Sequence, residues 1–125
     1  MPKRILIIDD EDDIRDVVAL ALETVAAWQV LGASSGLEGV SSATQTQPDA
    51  ILLDVSMPNQ DGIATFEQLR ANPTTQFIPT ILLTAQVQEI DRRRFADLNI
   101  AGVIAKPFDP LTLAMTIAQI LEWDS

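Results

Sequence analysis

Five polar residues stand where short aliphatic runs end: Asp9 and Asp10 after Arg4-Ile5-Leu6-Ile7-Ile8, Asp54 after Ala50-Ile51-Leu52-Leu53, Thr84 after Pro79-Thr80-Ile81-Leu82-Leu83, and Lys106 after the run from Ile100 to Ala105. If those runs are parallel strands of one sheet, all of these residues lie along a single edge. Clustered acids repel one another in a crevice that water screens poorly. A divalent cation relieves that repulsion, and an all-oxygen donor set suits Mg²⁺ or Mn²⁺. A carboxylate, a divalent cation, a lysine and a hydroxyl around one point form a phosphoryl-transfer arrangement. The cation and the ammonium neutralise the equatorial oxygens while the carboxylate attacks in line. An aspartate needs no general base for this, being ionised at neutral pH.

The composition removes most other chemistries. The chain has 125 residues and contains neither cysteine nor histidine. Disulfides, zinc sites, Cys nucleophiles and Ser-His or Cys-His dyads are thereby excluded. The chain also cannot donate a phosphoryl group from a histidine of its own. A formal net charge of −10 argues against nucleic acid as a direct partner, because phosphate contact needs clustered cations. No apolar run approaches the ~18 residues of a membrane span, and no signal-peptide pattern opens the chain. The expectation is one soluble, cytoplasmic domain over residues 1–125, with hydrophobic content of 47% sufficient for a core.

The elements that must hold these residues alternate. Ala50 to Leu53, continuously aliphatic, reads as a strand buried on both faces. Arg4 to Ile8 is a first strand, followed by a helix with Ile14, Val17, Val18, Ala21, Leu22 and Val25 on one face and acids in its first turn. Trp28 to Ala33 is a second strand nearer an edge. Ser34-Ser35-Gly36 caps a short polar helix from about Leu37 to Gln45. Asp61-Gly62 punctuates a loop, and a helix through Ile63, Phe66, Leu69 and Arg70 stops at Asn72-Pro73. After the fourth strand, Val87 to Leu98 is helical but poorly amphipathic. Lys106-Pro107-Phe108-Asp109-Pro110 is a turn that Pro107 fixes, a cis bond being one way to do so. A last helix runs from Leu111 to Leu121 with Leu111, Ala114, Ile117, Ala118 and Leu121 on one face. Five such alternations demand a parallel sheet covered on both sides, an α/β architecture. Ligands of such sheets bind at the carboxyl ends of the strands.

Residues 5–11 (Ile-Leu-Ile-Ile-Asp-Asp-Glu), 52–58 (Leu-Leu-Asp-Val-Ser-Met-Pro), Asp61-Gly62, 82–85 (Leu-Leu-Thr-Ala) and Lys106-Pro107-Phe108 occur in order and at fitting spacings. Together they resemble the receiver domain of two-component response regulators, of the stand-alone chemotaxis type with no output domain. The resemblance covers essentially the whole chain. It implies a flavodoxin-like doubly wound (βα)5 fold with strand order 2-1-3-4-5. It implies Asp54 as phosphoacceptor from a sensor histidine kinase, a histidine phosphotransfer protein or a small donor such as acetyl phosphate. Asp10 and Asp54 would hold Mg²⁺ directly, with the main-chain carbonyl of Ser56. Asp9 would act mainly through a coordinated water, Lys106 would pair with the phosphoryl oxygens, and Thr84 would move to hydrogen-bond them. The family commonly has an aromatic residue three positions before the lysine; here it is Val103, which has no comparable rotamer swing.

Other readings stand beside this one. Asp9, Asp10 and Glu11 also suit a helix dipole, and Thr84 also suits a cap. Arg92-Arg93-Arg94 is either a solvated face or, on so acidic a chain, a patch that steers an acidic partner. The fourth and fifth helices are the expected surface for a downstream target. Ser56 and Gln86 flank the site and are placed to tune hydrolysis of an acyl phosphate. A degenerate receiver that binds partners without phosphorylation is the rival function. An aspartate-nucleophile phosphatase of the haloacid-dehalogenase type is weak, because Ser56 stands where its second acid belongs. An FMN carrier is disfavoured by Asp9 and Asp10, which would repel the phosphate.

Overall fold

Ile5, Leu6, Ile7 and Ile8 are all wholly buried, and so are Ile51, Leu52 and Leu53. That is the pattern of strands covered on both faces, where no position is left for a polar residue. The computed structural model describes residues 2–55, 62–84 and 100–123. Its strands are β1 (Arg4–Ile8), β2 (Gln29–Ala33), β3 (Ala50–Asp54), β4 (Thr80–Thr84) and β5 (Gly102–Ala105). They form one parallel sheet in the order β2-β1-β3-β4-β5, the order that the resemblance implies. Β2 and β5 are the edges, and β2 accordingly is buried only at Ala33, its other positions being exposed or half-buried.

Four described helices cover the sheet: α1 (Asp12–Ala26), α2 (Gly36–Thr46), α3 (Gly62–Ala71) and α4 (Leu113–Leu121). The two-residue period of the strands splits the core into two layers. Ile5, Ile7, Leu52, Ile81 and Leu83 meet Val18 and Leu22 of α1 and Ile117 of α4. Leu6, Ile8, Ile51, Leu53 and Leu82 meet Ala43 of α2 and Phe66 and Leu69 of α3. Among the described residues no helix is long and apolar enough to cross a membrane.

Two local expectations change, at Leu111 and on α1, and the cis bond offered for the turn at Pro107 is present between Lys106 and Pro107. Leu111 is 78% exposed, not part of the last helix's buried face. Asp109 is the cause: its carboxylate accepts from the Leu111 N–H at 2.9 Å and its carbonyl from the Thr112 N–H at 3.1 Å. The chain is still turning at Leu111, so the helical phase begins at Leu113, which is buried with Ala114, Ile117 and Ala118. On α1, Val25 is 53% exposed and Val17 is 37% exposed, both flanking a narrower buried face of Val18, Ala21 and Leu22 that continues to Ala26. The expected helix from Val87 to Leu98, with Arg92, Arg93 and Arg94, lies outside the described residues, as do Ser56 and Gln86.

Candidate functional site

Each site residue follows from where a strand stops. Asp54 is the last residue of β3, opposite Leu83, and Thr84 is the last of β4, opposite Ala105. The ladder runs one step further at each end: the Asp9 N–H donates to the Ala33 carbonyl at 3.0 Å, the Val55 N–H to Leu83 at 3.1 Å and the Lys106 N–H to Thr84 at 2.8 Å. The backbone that carries the polar side chains is therefore as rigidly held as the sheet itself. The strand period continues the alternation of Ile5, Ile7 to Asp9, of Leu52 to Asp54, and of Ile104 to Lys106. All three then project on the layer that α1 and α4 cover.

The side chains converge as expected. Asp9, Asp54 and Thr84 are buried, while Asp10 is exposed. One carboxylate oxygen each of Asp9, Asp10 and Asp54 lie within 4.8 Å of one another. The Lys106 ammonium donates to Asp9 Oδ2 at 2.8 Å and stands 3.5 Å from Asp54 Oδ1. The other oxygen of Asp9 accepts from the Glu11 N–H at 2.9 Å.

The electrostatics show an under-neutralised cluster. Burial lifts the Asp9 carboxyl above its usual range, and the Asp54 charge adds to this, outweighing the Lys106 bond and the Glu11 N–H. Burial acts against the Lys106 ammonium, but its bond to Asp9 and the charges of Asp54 and Asp9 outweigh it and raise Lys106 above a free lysine. Two buried carboxylates thus share one ammonium, with the Asp10 carboxylate beside them. Two oxygens on one Mg²⁺ are separated by at most about 4.2 Å, given bonds of ~2.1 Å. Oxygens within 4.8 Å reach that limit with shifts of a few tenths of an ångström, so the donor set fits a small hard cation.

Two contributors escaped the sequence reading. In the sequence Gly62 is only turn punctuation. A Cβ there would lie 2.4 Å from the Val55 Cα and 2.6 Å from the Asp54 carbonyl oxygen, so its absence lets the start of α3 rest on the backbone of the nucleophile candidate. Arg15, the only cation in α1, donates to the Asp9 carbonyl at 2.6 Å. The available signal was a lone arginine in an acidic first turn. Val103 is half-buried against the layer of Leu82 and Leu53.

Residues 5–118 match the response regulator receiver domain family. The chain is 41% identical over 106 residues to the DNA-binding dual master transcriptional regulator RpaA of Synechocystis, covering 85% of this chain and 44% of that protein. It spans about half the length of the first curated relatives it matches. Among solved structures, the Vibrio cholerae chemotaxis protein CheY4 superposes with a TM-score of 0.88 at 28% identity, covering 96% of this chain and 99% of that one. The receiver domain of the sensor histidine kinase PA1611 of Pseudomonas aeruginosa, whose active-site cleft holds a coordinated magnesium ion, superposes with a TM-score of 0.84 at 26% identity, covering 98% and 99%.

Proposed function

The chain belongs to the response regulator receiver domain family, and we propose that within it Asp54 is the phosphoacceptor of a two-component or phosphorelay pathway. One observation carries this reading: Asp54 is buried at the tip of the central strand, 3.5 Å from the Lys106 ammonium and within 4.8 Å of the Asp9 and Asp10 carboxylates. Asp9, Asp10, Asp54 and the main-chain carbonyl of Ser56 would hold Mg²⁺, with Mn²⁺ able to replace it. The bound cation would withdraw charge from the phosphoryl oxygens as the transfer proceeds.

The residues of the chain do the rest. An Asp54 carboxylate oxygen attacks phosphorus; the new O–P bond forms as the donor's N–P bond breaks, and the departing imidazole of the donor phosphohistidine keeps the electron pair. Lys106 supplies a positive charge already held on this side of the sheet by Asp9. Thr84, buried at the end of β4, offers a hydroxyl to a phosphoryl oxygen. The donor is a sensor histidine kinase or a histidine phosphotransfer protein. Water later hydrolyses the acyl phosphate, so the chain is a switch, not a turnover enzyme. A downstream protein reads the switch, with Arg92, Arg93 and Arg94 as its candidate contact.

Intact mass after incubation with acetyl phosphate and Mg²⁺ tests the reading. One phosphoryl adduct is expected on the wild type and none on Asp54→Asn or in EDTA. An adduct that persists in Asp54→Asn places the nucleophile elsewhere and overturns the assignment.

A further inference from the structure

Asp9 is held at every polar atom. Its N–H donates to Ala33, one carboxylate oxygen accepts from the Glu11 N–H, the other from Lys106, and its carbonyl from Arg15 Nη1 at 2.6 Å. The last of these contacts is the only one that reaches forward. The Asp9 carbonyl belongs to the peptide bond that joins Asp9 to Asp10, and that bond is planar. Fixing its oxygen fixes the plane, and with it the position from which the exposed Asp10 carboxylate approaches the cluster. Among the described residues no hydrogen bond orients the Asp10 side chain itself.

Arg15 is built in for this contact. Its side chain is 20% exposed and its second nitrogen is paired with Asp12. Its stem lies across Gly32 of β2, where a Cβ would stand 3.3 Å from Arg15 Cδ and 3.7 Å from Nε. A side chain at position 32 would press the guanidinium out of its track. An acidic first turn, a bare strand position and a backbone carbonyl at the mouth of the site thus converge on one arginine.

We propose that Arg15 is a positioning residue of the cation site: through the Asp9 carbonyl it sets the Asp9–Asp10 peptide, and so the place of the Asp10 carboxylate as a ligand. The proposal rests on the reading of Asp9, Asp10 and Asp54 as a Mg²⁺ site. Outer groups that orient metal ligands typically contribute about ten- to a hundredfold in affinity.

The sign of the effect separates positioning from charge. On Coulomb grounds alone, removing a cation beside a cation site tightens Mg²⁺ binding. Positioning requires the reverse. Calorimetric titration with Mg²⁺ is the measurement, on the wild type, Arg15→Gln, Arg15→Lys and Gly32→Val, each checked for folding by circular dichroism. Arg15→Gln is expected to raise the Kd about tenfold. Arg15→Lys, which keeps one donor, recovers part of the affinity. Gly32→Val keeps Arg15 and suits a strand better than glycine, so it should weaken Mg²⁺ without lowering the melting temperature. Unchanged or tighter Mg²⁺ binding in Arg15→Gln overturns the inference while leaving the metal site standing. A wild-type chain that takes up no Mg²⁺ overturns both.

Discussion

Lys106 is the one ammonium shared by two buried carboxylates, and Lys106→Met removes it while keeping most of its apolar stem. At 2.8 Å from Asp9 and 3.5 Å from Asp54, unit charges attract by about 6 and about 5 kcal/mol at an effective dielectric of about 20. Most of this is offset by the cost of burying the ammonium. Breaking a buried pair by deleting one partner typically costs ~3–5 kcal/mol, because the other charge stays buried and unpaired. The lysine side chain retains 11% exposure, which favours the lower end. The expected loss at neutral pH without Mg²⁺ is about 3 kcal/mol by urea unfolding. For a domain of this size that corresponds to a fall of roughly 12 °C in Tm.

Two conditions should shrink that loss. Mg²⁺ puts positive charge back beside the same oxygens. Acid does so by protonation: burial raises the Asp9 carboxyl above its ordinary value, so on acidification the variant carries less uncompensated charge. Urea titrations in EDTA, in millimolar Mg²⁺ and at mild acidity decide the matter. A loss below about 1 kcal/mol in EDTA would refute the charge-sharing argument. So would an equal loss in all three conditions, which would assign the effect to stem packing.

The alkaline limb gives a second test: the folded Lys106 pKa is raised, so its contribution is full below the ordinary lysine value and is lost as pH rises through the folded one. Wild-type stability should therefore fall above about pH 10.4 by an amount missing from Lys106→Met, read by thermal melts across alkaline buffers. For Asp9 the pH dependence has the same sign, because the folded chain again binds the proton more tightly than the unfolded chain does; stability from this group grows as pH falls, and Mg²⁺ must compete with that proton. Calorimetric Mg²⁺ affinity should thus decline on acidification before the ordinary Asp range near 3.9 is reached, and Asp9→Asn should lose this limb. Gly62→Ala places a methyl 2.4 Å from backbone that cannot swing aside; about 1–3 kcal/mol of stability should go, and Mg²⁺ affinity with it, by urea unfolding and calorimetry. Gly39→Ala should cost a similar amount of stability, since its Cβ would meet Ile8 Cδ1 at 2.4 Å, yet leave Mg²⁺ affinity unchanged.

The central strands were legible because both of their faces are buried. Ile5 to Ile8 and Ile51 to Leu53 have no polar position, and the carboxylates that end them stand out against that background. Lys106 and Thr84 were legible for the same reason, as the first polar residues after buried runs. The length of α2 was harder to read. Its buried positions are Gly36, Gly39 and Ala43, so the face that packs on the sheet carries almost no hydrophobic signal. Close approach, not apolar area, holds it there, and the Ser35 hydroxyl that accepts from the Glu38 N–H at 3.1 Å marks its start. Leu111 was misplaced because a helical spacing of apolar residues continues into a turn that Asp109 imposes. Arg15 and Gly62 were missed because both act on backbone atoms. Their partners, the Asp9 carbonyl and the Asp54–Val55 peptide, have no letter in a sequence.

The same charge arithmetic says why phosphorylation should need a divalent cation. Three carboxylates against one ammonium leave a formal excess of two negative charges where a phosphoryl group of about −2 must arrive. At about 5 Å and an effective dielectric of about 20, each uncompensated pair of unit charges costs about 3 kcal/mol. One such pair slows transfer about a hundredfold. The chain as a whole also carries −10, which repels an anionic donor from a distance, and the two repulsions respond differently to salt. Long-range repulsion is screened over about 10 Å at 0.1 M, whereas a buried cluster is screened little. In EDTA, adduct formation from acetyl phosphate should therefore fall at least about a hundredfold, and molar NaCl should recover only a small part of it. Full recovery in salt would show that the distant field, not the Asp9–Asp10–Asp54 cluster, sets the barrier, and the local electrostatic account would fail.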